Sequence, residues 1–281
     1  MIIDTHCHVQ FKAYDEDRND VLRRSFEKGI VLNVVGTQKD TSKKAVELAE
    51  AHDNIYATIG LHPIQEHVVK VVEEDTTFQS RGEAFDVTYY DELATSSKVI
   101  AVGETGLDKY HIPKDVSAES IFETQQAVFL AHHAFAVRHD LPLVIHVREA
   151  HDEMIALLQT LPQPVKGVVH CFTGNWEQAE AYIGFGLYLG FTGVVTFPPK
   201  KTDPNAQLAL IDVLHRIPLE KLLVETDSPF LAPQKYRGKR CEPWMVEEVV
   251  DFIAHLRGLS VEEVALLSTK NAKTLFSRIQ I

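Results

Sequence analysis

Only three cysteines are spread over 281 residues. An odd, scattered set excludes a disulfide-stapled scaffold and points to a reducing compartment. Long hydrophobic runs are also missing. No window approaches the roughly 20 apolar residues that a membrane span needs. No basic region leads into an apolar stretch and a cleavage site at the N-terminus, so no signal peptide is expected, and the cytoplasm is the expected location. Positive charge is scarce: 28 Lys and Arg stand against 40 Asp and Glu, a net −12. That excludes a general basic coat for nucleic acid, so a polyanion would need a local basic patch or a bound cation. Internal repeats and low-complexity linkers are absent too, and a single domain over residues 1–281, acting as a monomer, is the expectation.

What is present alternates. The hydrophobic content of 45% supports a real core. Runs rich in β-branched residues occur at Ile2–His6, Val31–Val35, Tyr56–Gly60, Val99–Glu104, Leu143–Val147, Gly167–His170, Leu187–Gly190 and Leu222–Asp227. Helix-like segments separate most of them: Asp17–Lys28, Thr41–His52, Ala118–Arg138, Ala150–Leu158, Trp176–Gly184 and Asn205–His215. This pattern predicts an α/β fold, a (β/α)8 TIM-type barrel, with a doubly wound open sheet as the alternative. Extra C-terminal helices are expected at Pro243–Leu256, Val261–Leu267 and Asn271–Ile279, with Ser260 and Glu263 as a capping box. The acidic, aperiodic stretch Val72–Asp91 reads as a surface insertion after the third strand.

A barrel of this type gathers chemistry at the C-terminal ends of its strands. Read in turn, those ends deliver His6 and His8, His62, Glu104, His146, His170, and Glu225 with Asp227. His6 and His8 share a face of a strand, since side chains alternate. Each residue alone has a bland alternative: a lone His on an apolar strand is more often a satisfied core residue, and Asp227 before Ser-Pro suits a turn. The coincidence at one rim is what matters, because burying so many polar groups without a partner is costly and a metal is a partner. By the same alternation Cys7 and Cys171 should face away, leaving imidazoles and carboxylates. That donor set suits Zn, Mn, Co, Ni or Fe, and Mg less well. Six ligands fit two cations bridged by a central carboxylate. The expected sets are His6, His8, Glu104 and Asp227 for one ion, and Glu104, His146 and His170 for the other.

The motifs "DTHCH", "GLHP", "GETGLD", "IHVREA", "HCFTG", "ETDSPFLAP" and "RGKRCEP" run in order over nearly the whole chain. Together they resemble the TatD family of metal-dependent hydrolases, within the amidohydrolase-like barrel superfamily. The resemblance implies a TIM-type barrel, a divalent metal centre and phosphodiester hydrolysis, with DNA as the usual substrate. It carries the metal residues onto His6, His8, Glu104, His146, His170 and Asp227. The Val72–Asp91 stretch looks longer than the family has there. Lys109-Tyr110-His111 after "GLD" also departs from the family and bears on the substrate side.

The expected activity is exonuclease-like (3′–5′) cleavage of single-stranded or frayed DNA, with RNA open. Asp227 is the candidate general base. Glu225, two residues earlier, should point into the same cavity to orient water or bind a weaker cation; a core carboxylate paired with a cation is the alternative. His62 is a candidate contact to phosphate or the departing oxygen. The basic run "KYRGKR" offers Arg237 and Arg240 for phosphate, with a solvated loop as the alternative; Arg148 is a weaker phosphate candidate, since parity points it away unless the strand has already ended. Two rival readings remain: an amidohydrolase or lactonase acting on a small molecule, disfavoured because many of these bridge their metals with a carboxylated lysine whereas Glu104 stands there and no lysine falls in the strand-like runs near the rim, and a non-catalytic metal-binding protein.

Overall fold

The protein is described here by a computed structural model covering residues 1–66, 68, 70–73, 76–112 and 117–281, with residues 70–73 and 76–79 given by their backbone path alone. The chain opens with β1 (Ile2–Cys7), α1 (Arg18–Glu27), β2 (Ile30–Val35), α2 (Lys39–Ala51) and β3 (Ile55–Ile59). A hairpin of β4 (Lys70–Glu73) and β5 (Thr76–Gln79) and the helix α3 (Val87–Ala94) follow. Then come β6 (Val99–Asp108), α4 (Ala118–His139), β7 (Leu143–Arg148), α5 (His151–Gln159), β8 (Gly167–Val169), α6 (Trp176–Gly184), β9 (Tyr188–Phe191), α7 (Pro204–Arg216) and β10 (Leu222–Val224). The chain ends in α8 (Val246–Arg257) and α9 (Val261–Leu275).

Eight strands pair in the order β1-β2-β3-β6-β7-β8-β9-β10, each pairing parallel. The first and last close on each other beyond the ladder. The Thr5 hydroxyl donates to the Val224 carbonyl at 3.1 Å. Asp227 N–H reaches the His6 carbonyl at 2.8 Å and His8 N–H the Ser228 carbonyl at 2.7 Å. This is the (β/α)8 barrel. Its strands are near-continuous apolar runs because a parallel strand is covered on both faces.

Helix boundaries follow cap chemistry. Asp203 accepts from Ala206 N–H with Pro204 in the first turn of α7, Asn175 and Gln178 form a capping box for α6, and Ser260 and Glu263 form the expected one for α9. Two expectations are corrected. The last two helices are one: Ser268 bonds back to the Ala265 carbonyl at 3.2 Å, and buried Asn271 donates to the Leu219 and Leu222 carbonyls at 2.7 and 2.8 Å. The polar residues that break the apolar period therefore find partners without leaving the helix. The Val72–Asp91 stretch holds most of the hairpin and most of α3, begun by the Asp86 side chain accepting from Tyr89 N–H; its residues Glu74 and Asp75 lie outside those described.

The barrel's lower interior is filled by Ile3, Val31, Val144, Val168 and Leu223, sealed by Leu275 of α9 and Phe276 just beyond it. The larger core packs the helices onto the outer strand faces. Both leave the C-terminal ends of the strands open. Among the described residues, no helix is long and apolar enough to cross a membrane.

Candidate metal centre

His6 and His8 reach the rim from the end of β1. The pairing of β1 with β2 slips by one residue between Asp4 and Cys7, a bulge that re-aims the strand end. Cys7 still packs outward, its thiol 3.5 Å from the Asn33 carbonyl, and the two imidazoles meet with Nε2 atoms 3.2 Å apart. His8 Nδ1 donates to the Val35 carbonyl at 2.7 Å, which leaves a lone pair on its inner nitrogen. Asp227 Oδ1 stands 3.7 Å from His6 Nε2 and 3.3 Å from His8 Nε2. Glu104 Oε2 stands 3.4 and 3.9 Å from the same two atoms. A tetrahedron with bonds of about 2.1 Å has edges of about 3.4 Å. These five separations, 3.2 to 3.9 Å, lie near that edge, and the donor types suit a divalent ion.

Glu104 has a second face. Its Oε1 lies 3.0 Å from His146 Nδ1 and 3.5 Å from both His62 Nε2 and His170 Nε2. One buried carboxylate thus turns one oxygen to His6 and His8 and the other to three more imidazoles. Burial opposes its charge, yet the surrounding imidazoles hold it well below the ordinary carboxylate range. The slip in register on both sides of β6 brings it inward. Gly106 makes that path possible: its φ is 155°, and a Cβ there would lie 1.9 Å from the His146 carbonyl oxygen.

Among the described residues, the donors gather as His6, His8 and Asp227; as His6, Glu104 and His170; and as His62, Glu104 and His146. The expected pair His146 and His170 falls in two of these groups, yet both rings face the same Glu104 oxygen, at 3.0 and 3.5 Å. The His170 ring stacks on His6 at 3.6 Å between centroids, while His146 lies 6.4 Å from it across Glu104. His62, expected as a substrate contact, stands in the third group.

Behind the imidazoles stand carboxylates. Glu225 Oε1 accepts from His170 Nδ1 at 2.9 Å and from Cys171 N–H at 2.6 Å, and its Oε2 from the Thr5 hydroxyl at 3.2 Å. Gly190 leaves the room for it, since a Cβ there would lie 2.4 Å from that oxygen. The expectation that Glu225 points into the cavity is corrected. The strand ends at Val224 and Asp227 turns through a left-handed φ of 61°, so alternation no longer relates the two carboxylates. Asp108 does for His146 what Glu225 does for His170, accepting from Nε2 at 3.1 Å. Asp4 braces the closing turn, accepting from Thr226 N–H at 2.9 Å and from its hydroxyl at 2.7 Å. Sequence reasoning missed Asp108 and Asp4, although each keeps the parity of a chosen residue, four after Glu104 and two before His6. Such outer partners fix which ring nitrogen faces the site. In the metal-free protein burial pulls both imidazoles down, but Asp108 and Glu104 raise His146 to about 9, and Glu225 and Glu104 raise His170 to about 10. For Asp227, burial pushes up, and the His8, His170 and His6 rings outweigh it and leave the carboxyl below its ordinary value.

Above the cluster opens a cavity of about 560 Å³, the size of a small-ligand site. Arg148, Lys200 and Arg237 reach its walls. The Arg237 guanidinium lies over Phe197 at 4.4 Å and that of Arg148 over Tyr110 at 3.9 Å. For Arg148 the open alternative holds: it lines the cavity because β7 ends there and Glu149 takes a φ of 55°. Two further expectations about the cavity are corrected. Cys171 lines it too, at a φ of 45°. Arg240 does not. Its guanidinium forks onto Asp17 at 2.9 and 2.6 Å and donates to the Ala13 carbonyl, lying over Tyr14 away from the cleft. The chain turns through Gly238, at a φ of 82°, between the two arginines.

Residues 3–277 match the family described as TatD related DNase. This chain belongs to the TatD family of metal-dependent hydrolases. It is 38% identical to the protein named uncharacterized metal-dependent hydrolase YabD of Bacillus subtilis strain 168, over 98% of this chain and 99% of that one. It is 32% identical to the 3′-5′ ssDNA/RNA exonuclease TatD of Escherichia coli K12, over 98% of each. Among solved structures it superimposes on the TatD homologue YjjV of Escherichia coli K12 with a TM-score of 0.79 at 30% identity, covering 98% of both chains. As a member of the TatD family, the chain is a metal-dependent hydrolase acting on ester bonds.

Proposed function

We propose that this chain is a two-metal phosphodiesterase that removes nucleotides from the end of single-stranded or frayed DNA in the 3′–5′ sense, with RNA as a possible second substrate. The observation that carries the reading is Glu104, whose two oxygens face two separate sets of imidazoles at the floor of one cleft. His6, His8, Glu104 and Asp227 would hold one ion, and Glu104, His146 and His170 the other; Mg, Mn, Zn, Co, Ni and Fe are all chemically admissible. Bound there, divalent ions supply Lewis acidity toward phosphoryl oxygens and acidify water.

The chain's own groups do the rest. Asp227, ionised and facing the cleft, accepts the proton of the attacking water. Arg237 and Arg148 hold phosphate oxygens at the wall, and Phe197 and Phe230, which line the same cavity, supply aromatic surface for a base. Glu225 is a positioning residue that acts through His170. A cleft of this volume, in an acidic protein, receives a strand end better than an uninterrupted duplex. The name of the Escherichia coli relative supports the choice of substrate. A glutamate on β6 in the bridging place, Glu104, favours this reading over a lactonase or amidohydrolase. The test is to offer the metal-loaded protein bis-p-nitrophenyl phosphate, a lactone and an N-acyl amino acid. Turnover of the phosphodiester alone is expected, and preferential turnover of either other substrate overturns the proposal.

A further inference from the structure

Backbone groups near the metal centre report where the ring protons sit. A carbonyl only accepts and an N–H only donates. His8 Nδ1 lies 2.7 Å from the Val35 carbonyl, so Nδ1 carries the proton and the inner Nε2 is free to ligate. His170 and His146 follow the same rule through carboxylates. Glu225 takes the outer N–H of His170 at 2.9 Å and Asp108 that of His146 at 3.1 Å. In each the nitrogen facing Glu104 is the one an ion can take.

His62 is wired the opposite way. The backbone N–H of Ile64 points at His62 Nδ1 from 3.1 Å. That nitrogen must accept, so in the neutral ring the proton sits on Nε2, the atom that faces Glu104 and the cleft. Ligation through Nε2 would move the proton to Nδ1 and set it against the Ile64 N–H inside a buried turn. The turn leaves little slack, because Pro63 lies between the two residues and Gln65 N–H bonds to the His62 carbonyl at 2.8 Å.

We infer that His62, though its Nε2 lies among the ligand atoms, is not a metal ligand but a neutral hydrogen-bond donor that presents Nε2–H to a phosphoryl oxygen of the substrate. The substrate half of this inference rests on the phosphodiesterase reading; the tautomer half does not. The donor forms no covalent bond and gives up no proton. It complements charge on an oxygen while the ligands on either side hold cations, a role for which a neutral imidazole is suited.

Three measurements on the full-length protein test it. Long-range proton–nitrogen correlation spectra of histidine-labelled, zinc-loaded protein, with His62 identified by its loss in His62→Gln, should show Nε2 protonated and Nδ1 bare. The reverse pattern overturns the inference. Metal counted after gel filtration should be the same in wild type, His62→Gln and His62→Ala, and lower in His146→Ala; loss of an equivalent in both His62 variants overturns it. Inorganic phosphate, the probe for the oxygen contact, should bind His62→Ala roughly 10- to 100-fold more weakly, the effect of one hydrogen bond to a charged group, with much of the loss restored in His62→Gln. Unchanged phosphate binding in His62→Ala overturns the donor role. Should phosphodiesters prove not to be substrates, the first two measurements still decide the tautomer, so the two failures are distinguishable.

Discussion

At the scale of single residues, the centre works through pairs: an imidazole toward the cleft and an acceptor behind it. His170 with Glu225 and His146 with Asp108 hold protons tightly in the metal-free protein, at about 10 and about 9 respectively. Their folded-state values stand above the ordinary value of about 6.5. The stability they give the metal-free protein is therefore fully present below pH ~6.5 and lost as pH rises through 9 and 10. An ion must displace the inner protons, so metal affinity should climb with pH across that window and loading at pH 7 should release about two protons. Calorimetry in buffers of different ionisation enthalpy measures this directly. Asp227→Asn removes both a donor charge and the proposed base, and the rate should fall at least ~100-fold. Cys7→Ser, on the opposite face of β1, should leave metal content and rate within a few-fold. The inward residues were legible because strand parity and a shared rim selected them. Glu225 and Cys171 were misplaced because each lies beyond the end of its strand, and Cys171 and Asp227 take left-handed backbone that parity cannot foresee.

At the scale of elements, β6 is the one that departs most from regularity, and the departure serves the site. Its ten residues pair with slipped register on both sides, and Gly106 sits against the backbone of β7 at His146. Gly106→Ala should cost about 2 kcal/mol or more through strain and clash, lowering the melting temperature. It should also lower metal content, because the strand carrying His146 must shift. A melting curve and a metal count on one preparation check both. Most strands and helices were legible within a residue or two, since parallel strands and amphipathic helices write their periods plainly. Helix α3 was not, because its short run follows an acidic stretch of no period and its only start signal is Asp86. The break expected within α9 falls at Ser268, Thr269 and Lys270, and Ser268 finds its partner in the Ala265 carbonyl, which sequence does not reveal.

At the scale of the whole molecule, a net charge of −12 sets the terms on which the proposed nucleic-acid substrate would be held. Repulsion fades beyond the Debye length of about 8 Å at physiological salt, so affinity must come from the cleft itself. Few phosphates can be engaged there, and Arg240 is not among their ligands, being committed to Asp17. The salt dependence of binding should therefore be shallow, on the order of two to three phosphates. Arg237→Ala should raise KM more than it lowers kcat, because phosphate binding at the wall is shared by ground and transition states. Steady-state kinetics across a salt series reads both. The central claim is that a two-metal cleft in this barrel trims nucleic acid from a free end. The most direct measurement follows a single-stranded DNA labelled at its 5′ end beside a covalently closed duplex circle, with metal-loaded protein and a chelator control. The account predicts a ladder shortening from the 3′ end, an untouched circle, and no cleavage once the metal is removed. Rapid nicking of the circle, or cleavage that survives rigorous metal removal, would contradict it.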